Sequence, residues 1–146
     1  MKKTFTLLVL VIAYSLNAQT TDYNTENGFI ADGYDVVSYF SNTAKEGINK
    51  YVSTHDGIKF KFSSQTNLDT FNVNPTKYVP QYGGYCAYAL AVKNKKVSID
   101  PETFEIRNGK LYLFYNFWGS NALESWLDES PDVLKLKAAE NWKKLN

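Results

Sequence analysis

Tyr51-Val52-Ser53-Thr54-His55-Asp56-Gly57-Ile58-Lys59-Phe60-Lys61-Phe62 is the stretch from which the fold can be read. Asp-Gly tolerates positive φ at both positions, as the type I′ turn of a two-residue hairpin demands. Past the turn, Ile58, Phe60 and Phe62 alternate with Lys59 and Lys61, the period of two that sends one face to a core and the other to water. The same device recurs downstream, where Thr103 to Arg107 is followed by Asn108-Gly109 and then by Lys110 to Tyr115. There Leu111, Leu113 and Tyr115 stand opposite Tyr112 and Phe114, so both faces of that strand are expected to be covered. Two hairpins, about 51–62 and 103–115, are expected to supply a small antiparallel sheet.

Helical signals flank these hairpins. Ser63 or Ser64 can cap a short helix carrying Leu68 and Phe71 at i, i+3, ended by Asn74-Pro75 because proline restricts the residue before it. Trp118, Ala122 and Trp126 fall at i, i+4, i+8 and predict a helical stripe. Ser130-Pro131 reads as an N-cap and first-turn proline opening a last helix, with Leu134, Ala138, Trp142 and Leu145 on one side. Asp32-Gly33 marks a turn, and the apolar positions of Asp35 to Phe40 fit neither a strand nor a helix period. The expected class is α+β: a small sheet packed with short helices, two of them at the C-terminus.

Composition narrows what such a domain does. Of 146 residues, 16% are aromatic, including eleven Tyr, so much of the core is expected to be aromatic, with hydroxyls that need partners. Met1-Lys2-Lys3 followed by the apolar run Thr6 to Ala13 has the basic and hydrophobic regions of a secretory signal, with Ser15, Asn17 and Ala18 leading to a cleavage expected after Ala18. That run is shorter than the roughly 20 apolar residues a membrane span needs. The expected organisation is a signal peptide at 1–18, a flexible leader at 19–29 and one domain at 30–146, addressed to the periplasm or secreted, with no span in the mature chain. Removing Lys2 and Lys3 takes the formal charge from +1 to −1. With a single Arg, Arg107, the chain lacks the planar donors that phosphate and base-edge readers favour, which excludes nucleic acid as an expected partner.

Asp32 to Phe40, Gly57 to Ser64, Phe71 to Tyr78 and, most specifically, Pro80-Gln81-Tyr82-Gly83-Gly84-Tyr85-Cys86-Ala87-Tyr88-Ala89 occur in an order that resembles the YHS domain family, in particular its exported bacterial members. The Asp100 to Asn116 hairpin and the Ala138 to Trp142 piece are similar to the family's longer exported form. The resemblance implies metal binding through a Cys after the first hairpin and another four residues later. Those positions hold Ser63 and Asn67 here, whose hydroxyl and amide are poor ligands for soft metals.

Cys86 is the only cysteine and His55 the only histidine. If the two met in space, they would offer a weak copper or other transition-metal site with a carboxylate such as Asp35. Read instead as nucleophile and base, they would suggest a small thiol enzyme, although no third member is evident. A free Cys also packs well as a buried small hydrophobe. Paired glycines, Gly83-Gly84, permit either a binding loop or a tight packing crossing. A bound metal ion or small molecule is therefore expected near Gln81, Tyr82, Gly83, Gly84 and Tyr85, together with Tyr34 and Asp35 of the opening block. The alternative is a non-catalytic accessory domain, without metal, whose aromatic surface meets another exported protein.

Overall fold

A computed structural model describes residues 21–146, so the expected export segment at 1–18 lies outside the described residues. Strands β1 (Thr25–Glu26) and β2 (Phe29–Ile30) are followed by β3 (Ile48–His55), β4 (Ile58–Phe62) and helices α1 (Gln65–Val73), α2 (Pro75–Tyr78) and α3 (Ala87–Lys93). Next come β5 (Asp100–Arg107), β6 (Lys110–Phe114), β7 (Asn116–Phe117) and β8 (Ser120–Asn121), then α4 (Ala122–Asp128) and α5 (Pro131–Leu145). The α+β class and the two C-terminal helices are as the sequence leads one to expect.

Both hairpins form with their anticipated turns: His55 faces Ile58 across Asp56-Gly57, and Arg107 faces Lys110 across Asn108-Gly109. They do not share a sheet. Phe29 of β2 pairs in parallel with Lys59 and so occupies the free edge of β4, giving a four-stranded order β1-β2-β4-β3, while β5-β6 and β7-β8 form separate two-stranded sheets. On β4 the alternation holds, with Phe60 and Phe62 buried and Lys59 exposed. On β6 every residue from Leu111 to Phe114 is buried, as two covered faces require.

Two aromatic groups stand within one hydrophobic core. Phe71 of α1 packs between Phe60 and Phe62, with ring centroids at 4.6 and 5.0 Å. Ser64 caps α1 by accepting from the Asn67 N–H, and the helix ends before Pro75. On the other side Trp126 of α4 is fully buried against Tyr112 and Phe114 of β6, at 5.8 and 5.4 Å. Its indole N–H donates to Glu105 Oε2 at 2.9 Å, and Arg107 clamps the same carboxylate from Nε and Nη2. The polar handle of a buried Trp is thus satisfied. α5 packs along α3, where Asn141 Nδ2 donates to the Leu90 carbonyl at 2.8 Å and satisfies one of the carbonyls that α3 leaves open at its end.

Two further expectations are corrected. From Thr21 onward the segment taken as flexible leader belongs to the fold: Asn24 donates from its backbone to Gly83 O at 2.8 Å and from its side chain to Gly84 O at 3.1 Å, and Thr25 to Ile30 form a hairpin over Asn27-Gly28. Trp118 is not on the helix of Ala122 and Trp126. Asn121 caps α4 by accepting from the Leu123 and Glu124 N–H groups, so the helix begins only at Ala122 and Trp118 stands in a hairpin turn before it.

Asp35, buried completely, ties the opening segment to the corner between β4 and α1. Oδ1 accepts from the Val37 and Ser38 N–H groups at 3.0 and 3.3 Å, folding Asp35 to Ser41 into a tight turn that is neither strand nor α-helix. Oδ2 accepts from the Ser63 N–H, the Ser63 hydroxyl and Asn67 Nδ2 at 2.8, 2.7 and 2.7 Å. Five donors converge on one buried carboxylate, and hydrogen bonds to such a group stabilise more than neutral ones. Asp35→Ala leaves those donors facing a void and is expected to lower the urea-unfolding free energy by about 3 kcal/mol or more. A loss below about 1 kcal/mol, the scale of one ordinary hydrogen bond, would contradict this role.

Candidate functional site

Pro80 leads into a tight turn, Gln81–Gly84, in which Tyr82, Gly83 and Gly84 all take left-handed backbone, with φ of 55°, 61° and 80°. Gly83 is required twice over. A Cβ there would lie 2.7 Å from both the Asp22 carbonyl and the edge of the Trp142 ring. The glycine pair is therefore a close crossing, letting the N-terminal segment and α5 meet over the turn. Tyr82 holds its unusual backbone through its side chain: the hydroxyl donates to Lys135 O at 2.8 Å and the ring packs against Tyr112 at 5.9 Å. Burial pushes its phenol above the ordinary value of 10.0, with a smaller push from Tyr112.

The turn forms one wall of an open cleft of about 450 Å³. Gln81, Tyr82 and Gly83 face Tyr23 of the N-terminal segment, the His55-Asp56 hairpin tip, and Trp142 and Lys143 of α5, with Val79 and Pro80 completing the apolar lining. His55 Nε2 lies 3.4 Å from Asp56 Oδ2, and its ring meets the Phe71 ring edge-on at 6.2 Å, so the imidazole has an orienting neighbour on each side. Partial burial raises the Tyr23 phenol, helped by the nearby Asp56 carboxylate. The rings of Tyr23, Tyr82, Trp142 and His55 and several donors and acceptors thus border one space, the mixture typical of small-molecule sites.

The other expected site residues lie elsewhere. Gly84 packs against Ile30, and Tyr85 supports the cleft from behind, its ring 6.1 Å from Trp142 and its hydroxyl donating to Asp22 Oδ2 at 3.2 Å. Lys96, in the stretch between α3 and β5, pairs with that carboxylate at 3.0 Å and sits 5.1 Å from the Trp142 ring centroid. Tyr34 is remote from the cleft, its hydroxyl directed at Glu102 at 3.4 Å, and Asp35 is the buried tie already described.

Cys86 does not join His55. It is fully buried on the floor of a second cavity of about 270 Å³, beside Lys93, Tyr115 and Ser120. Burial pushes its thiol upward, only partly opposed by backbone N–H groups of Tyr115, Ala89 and Tyr88 and by the Lys93 charge. That is the setting of a packed, unreactive thiol. Nor do Ser63 and Asn67, the positions at which the sequence resemblance implies ligands, fit a soft metal, since both donate to Asp35 Oδ2. Among the described residues no group of three or more His, Cys, Asp or Glu side chains is placed to hold a metal ion, and no helix is long and apolar enough to cross a membrane.

Of the residues singled out in the sequence, Gln81, Tyr82 and Gly83, expected near a ligand, and His55, expected as a metal ligand, border this cleft, whereas Tyr23, Trp142 and Lys143 carry no such signal. In the sequence Trp142 reads only as a core-facing position of the last helix, and Tyr23 falls in the stretch expected to be a leader. Asn27-Gly28 was the available signal, since it announces the hairpin that ties this stretch down.

Native Cys86 is expected to react with iodoacetamide at pH 7.5 at least about 100-fold more slowly than in the urea-unfolded chain, as burial and a raised pKa require. Comparable rates would restore the thiol-enzyme idea. Tyr82 gives a pH signature with a definite sign. Its folded value is raised above 10.0, so the neutral phenol's contribution is complete below that pH. It is lost as pH climbs through the folded value. Wild type is expected to lose more unfolding free energy between about pH 9 and pH 11 than Tyr82→Phe, and equal losses in urea titrations would contradict the assignment.

Comparison of the chain with family models, curated proteins and solved structures found no match in any of the three.

Proposed function

We propose that this chain is an exported, YHS-like binding module that holds a small organic molecule in the cleft between the Gln81–Gly84 turn, the His55-Asp56 tip and α5. One observation carries this reading: Gln81, Tyr82, Gly83 and His55, distant in sequence, border the same cleft as Tyr23 and Trp142. Rings supply apolar contact, while Gln81, His55 and Lys143 supply direction, and such groups give a small ligand orientation as well as affinity. An aromatic or amphipathic guest of modest size, bearing one charged or strongly polar group, matches the lining. The export address rests on the basic and apolar pattern of residues 1–18.

A metal cargo has less support, because the thiol and the imidazole border different cavities. A catalytic role has less again: Cys86 is buried with a raised thiol pKa, and the carboxylates of Asp100 and Asp35 are held by the chain itself. Asp100 Oδ1 accepts from the Glu102 N–H at 3.0 Å and Oδ2 from the Thr103 hydroxyl at 2.7 Å, as a turn former does. Asp35 has both oxygens engaged by the chain itself.

Benzoate, indole-3-acetate and phenethylamine are suitable probes, titrated into the isotope-labelled chain and followed by amide chemical shifts. At least one is expected to saturate with shifts at His55, Gln81, Tyr82 and Lys143, and Gln81→Ala with Lys143→Ala is expected to weaken it about tenfold or more, the loss of one to two directed hydrogen bonds. Shifts scattered away from the cleft would overturn the assignment. So would stoichiometric copper(I) binding abolished by both Cys86→Ser and His55→Ala.

A further inference from the structure

Among the described residues four hairpins close through two-residue turns in which both residues have positive φ, and three obey the usual chemistry. Asn27-Gly28, Asp56-Gly57 and Asn108-Gly109 have first-position φ of 51°, 50° and 52°. The fourth is Trp118-Gly119, between Phe117 and Ser120, with φ of 57° at the Trp. Asn and Asp accept left-handed backbone because their short side chains bond locally, whereas a bulky residue there is a real outlier. Nor does the fold hold this ring, for Trp118 is 98% exposed. Its neighbour Phe117 is 42% exposed and stacks edge-on with Tyr115 at 5.1 Å, which stiffens the base of the finger. An unfavourable backbone that presents an uncovered indole, where the chain elsewhere uses Asn or Asp, points to a use outside the chain.

We propose that the Trp118 tip is the anchor of a protein–protein contact, inserting into an apolar pocket, rimmed by Lys or Arg side chains, on another exported protein. A convex finger calls for a concave receptor, and Trp is the residue most often found to dominate such contacts. The charge around the tip selects the partner. From Leu111 to Leu134 the chain has no Lys or Arg and four carboxylates, Glu124, Asp128, Glu129 and Asp132. Glu129 and Asp132 are engaged by Tyr88 and by Lys135. Glu124 accepts from Asn121 Nδ2 at 3.1 Å and so sits at the foot of the finger, with Asp128 one turn further along α4. Lys93, beside Ser120 in the second cavity, is a basic side chain close to this foot. Glu124 and Asp128 outnumber Lys93 at the foot of the finger, and this small negative excess is repelled by an anionic bilayer surface and attracted to a basic rim, favouring a protein over a membrane. This contact is separate from the cleft and does not depend on what the cleft holds.

The test begins with Trp118→Asn, which restores the turn chemistry of the other hairpins. Its unfolding constant is expected to fall roughly five- to thirty-fold, the range implied by relief of a left-handed non-glycine residue. A rise instead would mean that the ring serves the fold, and the proposal would fail. A photo-crosslinking benzoyl-phenylalanine is then placed at position 118, and as a control at the equivalent tip position 108, in the full chain produced in its source organism. An adduct to one identified protein at 118 and not at 108 is expected. With that protein purified, calorimetry is expected to show about 30-fold or greater weakening by Trp118→Asn, the size of a dominant contact. Glu124→Gln with Asp128→Asn is expected to reduce both affinity and its salt dependence. Equal adducts at both tips, unchanged affinity of Trp118→Asn, or an adduct between two copies of this chain would each overturn the proposal. Trp118-dependent binding to phosphatidylglycerol vesicles would do so as well, by assigning the finger to a bilayer.

Discussion

A single buried carboxylate holds the architecture in register. Asp35 has no exposed surface, yet both of its oxygens are satisfied, one by the turn it sits in and the other by the corner where β4 gives way to α1. Burying such a group without partners would be strongly unfavourable, so any conformation that separates the opening segment from Ser63 and Asn67 is penalised. That coupling positions β2 beside β4 and sets α1 over the Phe60, Phe62 and Phe71 core. It also explains the chemistry of the corner. A hydroxyl and an amide that donate to a carboxylate suit Ser63 and Asn67, whereas thiols would be weak donors in the same places.

Local turn chemistry explains what the sequence disclosed and what it hid. Asp56-Gly57 and Asn108-Gly109 announced their hairpins because the dipeptide encodes the backbone. The partnership between strands was invisible, since β2 reaches β4 from thirty residues upstream in parallel register and nothing in the alternation of β4 names the strand on its edge. Trp118 misled for a different reason. Apolar spacing of four fits a helix, but Gly119 and the Asn121 cap decide the local backbone against it. Spacing is a weaker signal than a cap when the two disagree.

The candidate site was half legible. Gln81 to Gly83 drew notice through the glycines and His55 through its chemistry, and both border the cleft. Cys86 drew notice for the same kind of reason and proved to be interior. A residue's reactivity can be read from its type, but its exposure is set by what packs around it, here Tyr115 just past β6 and the start of α4. The opposite wall of the cleft comes from α5, more than fifty residues downstream, whose Trp142 fits only because Gly83 carries no side chain. Cleft and finger also differ in kind. The first is a concave, aromatic space framed by packed elements, and the second is an exposed ring on a strained turn.

Native-state hydrogen exchange at the Ser63 amide probes the Asp35 tie at its most informative atom, because that N–H donates to the buried Oδ2 at 2.8 Å. It is predicted to exchange only through global unfolding, with the denaturant dependence of the whole domain. Exchange through a local opening, fast and insensitive to denaturant, would show that the corner is not held by this carboxylate and would contradict the account.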